Sequence, residues 1–217
     1  MAVAVQSSST NTSTDTTPDG NRPTGTTDGD LLLAALFVSQ GATISAVPSG
    51  WTLIREDTSG TSARTALYWK IASSEPATWT WTISASANAG VHVLRLDGHD
   101  PISPINQHSG QGNTSSTSVT APAVTPSTND CLLIGWFHVA ANATFTAPAS
   151  MSEVTDAVSG GSSRALESAQ ELLSGGSGAS TGTRVATAST AGVNVGQLLA
   201  IAPPPVLSGV SLLAAFP

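Results

Sequence analysis

Hydrophobic and polar positions alternate along most of this chain with the two-residue period of β-strands. Leu31 to Val38 is a short, almost continuous apolar run bounded by turn residues, the pattern of a strand covered on both faces. Arg64 to Ala72 alternates, with Thr65, Leu67, Trp69 and Ile71 on one face and Ala66, Tyr68 and Lys70 on the other. Thr78 to Ile83 (TWTWTI) sets Trp79, Trp81 and Ile83 inward and three Thr outward. Val91 to Leu96 is a further strand. Gly, Pro, Asn and Asp clusters separate these segments at spacings typical of sandwiches. Ser163 to Leu173 (SRALESAQELL) has helical spacing, but its place in the chain predicts a strand. Ser118 to Pro126 reads as an edge strand.

The pattern recurs. Asp30 to Ile54 aligns without gaps on Asp130 to Val154, matching Asp30/Asp130, Leu32/Leu132, Leu33/Leu133, Phe37/Phe137 and Pro48/Pro148. Arg64 falls on Arg164. At an offset of 102, Ala89 to Val93 falls on Ala191 to Val195. Two copies of one unit, 28–100 and 128–204, are expected. Four or five strands cannot bury a face alone. The expectation is therefore an all-β, jelly-roll-like β-sandwich over 23–204, in which two repeated four- to five-strand units intertwine.

Two flanking segments differ. Residues 1–22 read as an extended polar arm. The stretch Gln6, Ser7, Ser8, Ser9, Thr10, Asn11, Thr12 and onward to Thr17 has little apolar area for docking on its own domain, so it is expected to lie on a neighbouring chain. Residues 205–217 form an apolar tail in which Leu212, Leu213 and Phe216 would contact a partner. Met1 to Val5 is short and lacks a basic flank, so a secretory leader is not expected.

Composition narrows the chemistry. The 217 residues include 31 Ser and 28 Thr but one Lys and six Arg, and the formal net charge is −7. A basic footprint for nucleic acid is missing, and the longest apolar run is far too short for a membrane span. One Cys (Cys131) leaves no internal disulfide; standing in the slot of Leu31, it reads as structural. Asp28, Asp30, Asp97 and Asp100 invite an ion, but Asp-Gly is also turn chemistry, and the turn reading is preferred. His92, His99, His108 and His138 lack ligand spacing; His138, in the slot of Val38, reads as packed. The hydrolase elbow and phosphate-binding motifs are absent. A carboxylate pair could be drawn among Glu56, Asp57, Glu75, Glu153 and Asp156, although sandwich loops carry such acids anyway. Arg64 and Arg164 are expected as structural cations near the acids at 56–57 and 156. Four Trp fall on strands as core. Trp51, in a turn after Pro48-Ser49-Gly50, is the exposed candidate for stacking on a sugar. No catalytic residue, metal or cofactor is expected.

The order Gly29-Asp30-Leu-Leu-Leu-Ala, Pro48-Ser-Gly-Trp51-Thr, Leu67-Tyr-Trp-Lys70, Glu75-Pro76, a Trp/Thr strand and Val-Leu-Arg-Leu-Asp97-Gly98 resembles a loose family of β-sandwich structural proteins of tailed-bacteriophage virions. The resemblance spans residues 23–204 and rests on strand and turn signals. It implies a non-enzymatic virion protein made in the bacterial cytoplasm, foremost a capsid decoration protein contacting the major capsid protein or other virion proteins as a homo-oligomer. The alternative is a tail- or head-fibre module that binds a host polysaccharide through Trp51.

Overall fold

The computed structural model describes residues 2–39, 41–159 and 163–206. The chain is all-β. With strands numbered in chain order, sheet I runs β1 (Ala4–Asp15), β9 (Ala87–Asp97), β3 (Leu31–Val38), β6 (Ala63–Ile71), β5 (Thr52–Ser59). Sheet II runs β10 (Ile105–Ala121), β15 (Arg184–Ile201), β11 (Leu132–Val139), β14 (Ala165–Leu172), β13 (Ser152–Val158), with β12 (Phe145–Thr146) also paired to β15. All pairings are antiparallel. The expected β-sandwich is present, but its halves are stacked rather than intertwined, because each sheet is drawn from one half of the chain. Segment 163–173 is a strand despite its helical spacing: β14 is held between β11 and β13.

The central strands carry the apolar runs because both their faces are buried. Between the sheets, Leu31, Leu33, Phe37, Leu67, Leu94 and Leu96 meet Leu132, Ile134, Trp136, Leu166, Leu199 and Ile201. The other face of sheet I is covered by Trp51, Trp79, Trp81 and Ile83 packed on Leu32, Leu36, Tyr68, Val91 and Val93. That cover is built by two short ladders, β2 (Asp19–Asn21) with β7 (Thr78–Thr80) and β4 (Ile44–Ala46) with β8 (Thr82–Ile83). The outer face of sheet II packs Phe137, Val139, Leu133 and Leu198 under Phe145, Met151 and Val124. Each fully buried large side chain removes apolar area worth about 1.5–3 kcal/mol from water.

The N-terminal segment is not an arm. Ala4 to Asp15 is the edge strand β1, in register with β9 from Ala4–Asp97 to Asp15–Ala87. Gln6, Ser7, Ser8, Ser9, Thr10, Asn11 and Thr12 therefore belong to the sandwich, against the expectation of a strip lying on a neighbour. A backbone ladder, not apolar area, docks it. Its hydroxyls add local bonds, such as Ser7 Oγ donating to the Thr24 carbonyl at 2.8 Å. Val3 just ahead of it is buried in the central core. Leu212, Leu213 and Phe216 lie outside the described residues.

Pairing shifts the expected correspondence of β3 and β11, while β5 and β13 keep the offset of 100. Leu31 pairs with Ile71 and Leu96, and Leu132 pairs with Leu172 and Ile201. Leu31 thus corresponds to Leu132, an offset of 101 rather than 100, and Leu96 corresponds to Ile201, an offset of 105. A one-residue slip exchanges the faces of a strand. His138 accordingly stands where Phe37 does, facing inward, and not in the slot of Val38; the two rings meet edge to face at 5.6 Å. Cys131 precedes β11 and joins the outer core of sheet II.

At one margin of the sandwich, β5 and β10 close on each other. Ser59 Oγ donates to the Asn113 carbonyl at 2.6 Å, and Arg55 Nη2 to the Gly110 carbonyl at 3.0 Å. A Cβ on Gly112 would lie 2.0 Å from the Thr58 carbonyl oxygen, so only glycine lets the strands approach this closely. Gly112→Ala is expected to cost about 1–3 kcal/mol through forced separation of this margin, read as a lower urea midpoint.

Candidate functional site

The sequence candidates do not converge. Trp51 is only 7% exposed. It packs edge to face on Trp79 at 5.2 Å and at a tilt on Trp81 at 5.5 Å, with Lys70 Nζ 5.9 Å over its ring. The turn after Pro48 folds it inward over sheet I, so it offers no platform for a sugar, and the expected exposure of Trp51 is wrong. The Asp-Gly turns are turns. Asp30 accepts from Thr27 N and Arg95 Nε, both at 2.7 Å. Burial alone would raise the Asp30 carboxyl, but these bonds outweigh it and hold it below its usual value. Asp28 Oδ1 accepts from Ser74 N, Asp97 Oδ1 from Gln6 Nε2, and Asp100 Oδ1 from Ile102 N. Their oxygens are aimed at different partners. Arg64 pairs with Glu56 as expected. Arg164 does not reach Asp156; its Nε donates to the Ser62 carbonyl at 3.0 Å.

Between the sheets runs a buried polar seam that the strand alternation did not predict. Thr10 Oγ1 lies 2.8 Å from His92 Nδ1 and Ser168 Oγ 3.0 Å from its Nε2. Thr65 Oγ1 lies 2.9 Å from His138 Nδ1. Gln197 Nε2 donates to Asp57 Oδ2 at 2.7 Å and to the Thr65 carbonyl at 3.1 Å, and Arg55 chelates Asp57. A hydroxyl beside an imidazole has the outline of a nucleophile and its base. Here the chemistry fails. Both rings are fully buried, and burial pushes His92 down to about 4 and His138 to about 3. The imidazole beside Thr65 is therefore a weak base, and among the described residues no carboxylate orients it. The seam stitches sheet to sheet.

A second cluster sits on the outer face of sheet II. Carboxylate oxygens of Glu153, Asp156 and Glu167 lie within 4.8 Å of one another. Glu167 is directly across from Asp156 in the β13–β14 pairing and from Phe137 in the β11–β14 pairing. A bulge between Glu153 and Thr155 supplies the third acid. In a regular strand, Glu153 and Asp156 would point to opposite faces. The extra residue, Val154, packs into the central core and turns Glu153 onto the outer face. Glu167 is fully buried, and neither of its carboxylate oxygens has a hydrogen-bond partner among the described residues; nor does Asp156 Oδ1. Asp156 Oδ2 is occupied, accepting from Phe145 N at 2.9 Å. Burial, then repulsion from Asp156 and Glu153, pushes Glu167 up to about 8. The sequence reading named Glu153 and Asp156 as loop acids and missed Glu167, hidden in a helix-like segment.

A third feature is a groove of about 810 Å³ at one end of the sandwich, lined by residues including Asp130, Leu172, Leu173, Pro203 and Val206. Leu172 is 54% and Val206 93% exposed. The loop carrying the exposed Ile102 is tied to the same end, because Asp100 N donates to the Ala202 carbonyl and Ala202 N to the Pro104 carbonyl.

No family model, no curated protein and no solved structure matches this chain.

Proposed function

We propose that the chain is a non-enzymatic structural protein of a tailed-bacteriophage virion, a capsid decoration protein on the head surface. The observation that carries this reading is the groove with exposed apolar side chains at one end of the molecule. Leu172 and Val206 expose apolar surface in the groove and Ile102 on a loop tied to the same end, and both long edge strands, β1 and β10, are rich in Ser, Thr, Asn and Gln. A block of this kind docks by its apolar end and presents hydroxyls to solvent. Three stacked cores and polar edge strands suit a stiff part that must stay soluble at high local concentration. The resemblance in residues 23–204 points the same way.

The test is co-sedimentation with expanded phage heads that lack the protein. The chain is expected to saturate the heads, and Leu172→Asp with Val206→Asp to weaken binding tenfold or more, as expected for loss of about 1.5 kcal/mol or more of apolar contact. A chain that leaves heads bare but is retained by host polysaccharide would replace this reading with a fibre module.

A further inference from the structure

We propose that Glu153, Asp156 and Glu167 form a calcium site on the outer face of sheet II. Three carboxylates from two neighbouring strands converge there, and hard divalent cations take clustered oxygens of this kind. A mutual span of up to 4.8 Å suits ligands on one ion with bonds of about 2.4 Å. The second, independent observation is Glu167 itself. Its side chain is wholly removed from solvent, and both oxygens lack a partner among the described residues while facing Asp156 and Glu153. A buried carboxylate without hydrogen bonds or counter-charge is costly, and coordination to a cation is one of the few arrangements that satisfies it.

Sheet I supplies an internal comparison. By strand pairing, the positions corresponding to Glu153, Asp156 and Glu167 are Leu53, Glu56 and Ala66. A bulge between Leu53 and Arg55 stands at the same place. The architecture therefore does not demand three acids. The one acid that sheet I keeps, Glu56, is neutralised by Arg64. The position corresponding to Arg64 in sheet II is Ala165, and no ion pair among the described residues involves Glu153, Asp156 or Glu167. Sheet II carries two more carboxylates at these positions than sheet I and lacks the cation that would balance one. A bound ion restores that balance. Calcium fits better than magnesium, which is usually held by one or two carboxylates and keeps most of its water. Glu153 is exposed, which gives the ion a way in and leaves room for water ligands.

The experiment is calorimetric titration of the full chain, stripped with chelator, using calcium chloride and then magnesium chloride, beside thermal unfolding with each salt. One calcium per chain is expected. Free calcium a hundredfold above Kd should raise Tm by about 5–10 °C. Glu167→Gln should weaken calcium binding at least a hundredfold. Glu153→Gln, at an exposed position that the fold does not need, should weaken it at least tenfold, and Glu56→Gln in sheet I should leave it unchanged. Absence of both binding heat and Tm shift in the parent chain would overturn the proposal. So would calcium binding that survives Glu153→Gln at full strength, or a preference for magnesium.

Discussion

Removing residues 2–15 is expected to unfold this protein. An arm lying on a neighbouring chain could be deleted without harm to the fold. β1 instead pairs with β9 from Ala4 to Asp15, and its loss would strip a whole ladder from a central core element. It would expose the inner face near Val3 and take away Thr10, one of the two hydroxyls that hold His92. Net backbone bonds at about 1 kcal/mol each, plus the exposed apolar surface, amount to a large part of the roughly 5–15 kcal/mol that stabilises a domain. The unpaired edge of β9 would also be open to intermolecular pairing. The truncated chain should therefore lose its β-sheet circular dichroism and collect in the insoluble fraction. A soluble truncated chain with an unchanged melting curve would show that β1 is dispensable.

Strand positions were legible because alternation and apolar runs report burial directly; TWTWTI and Leu31 to Val38 left little choice. Other features were not legible, for identifiable reasons. β1 has almost no apolar signal. Its one available sign was the recurrence of β-branched Thr in TNTSTDTT, which favours extended backbone. The register of β3 against β11 was misjudged because gapless alignment holds one offset throughout, whereas pairing gives 101 for β3 and β11 and 100 for β5 and β13; that single residue decides whether His138 or Phe137 enters the central core. Trp51 looked exposed because its turn was visible, whereas the hairpin-like cover that receives it, with Trp79 and Trp81 from a distant segment, was not. The acid cluster depended on a bulge. No pattern in Ser-Glu-Val-Thr-Asp marks Val154 as the extra residue, and without it Glu153 points away from Glu167.

Stability should depend on pH with a maximum near neutrality, and the acid side should belong to the seam. His92 and His138 are buried neutral, pushed by burial to about 4 and about 3 from an ordinary value of 6.5. Between pH 6.5 and those values the unfolded chain binds protons that the folded chain refuses. Stability therefore falls as pH drops through this window, by about 3 kcal/mol for each ring at pH 4. His99 and His108, also lowered by burial, act in the same direction. In chelator-treated protein, Glu167 opposes them. Its folded value of about 8 means that the folded chain holds a proton between pH 4.5 and 8 that the unfolded chain has released, so stability falls as pH rises through that range. Asp156, raised chiefly by burial, has the same sign as Glu167. Two histidines against one dominant carboxyl leave a net of about one proton on either side, so the optimum falls at about pH 6.5 and the acid limb steepens only below pH 4.5, where Glu167 no longer opposes the histidines. Urea midpoints measured from pH 4 to 9 with chelator present should trace this curve. His92→Gln combined with His138→Gln keeps polar, uncharged side chains beside Thr10, Ser168 and Thr65, and should flatten the acid limb even if it lowers the plateau. An unchanged acid limb in that variant would move acid sensitivity away from the seam and onto His99 and His108, which burial lowers from the same ordinary value.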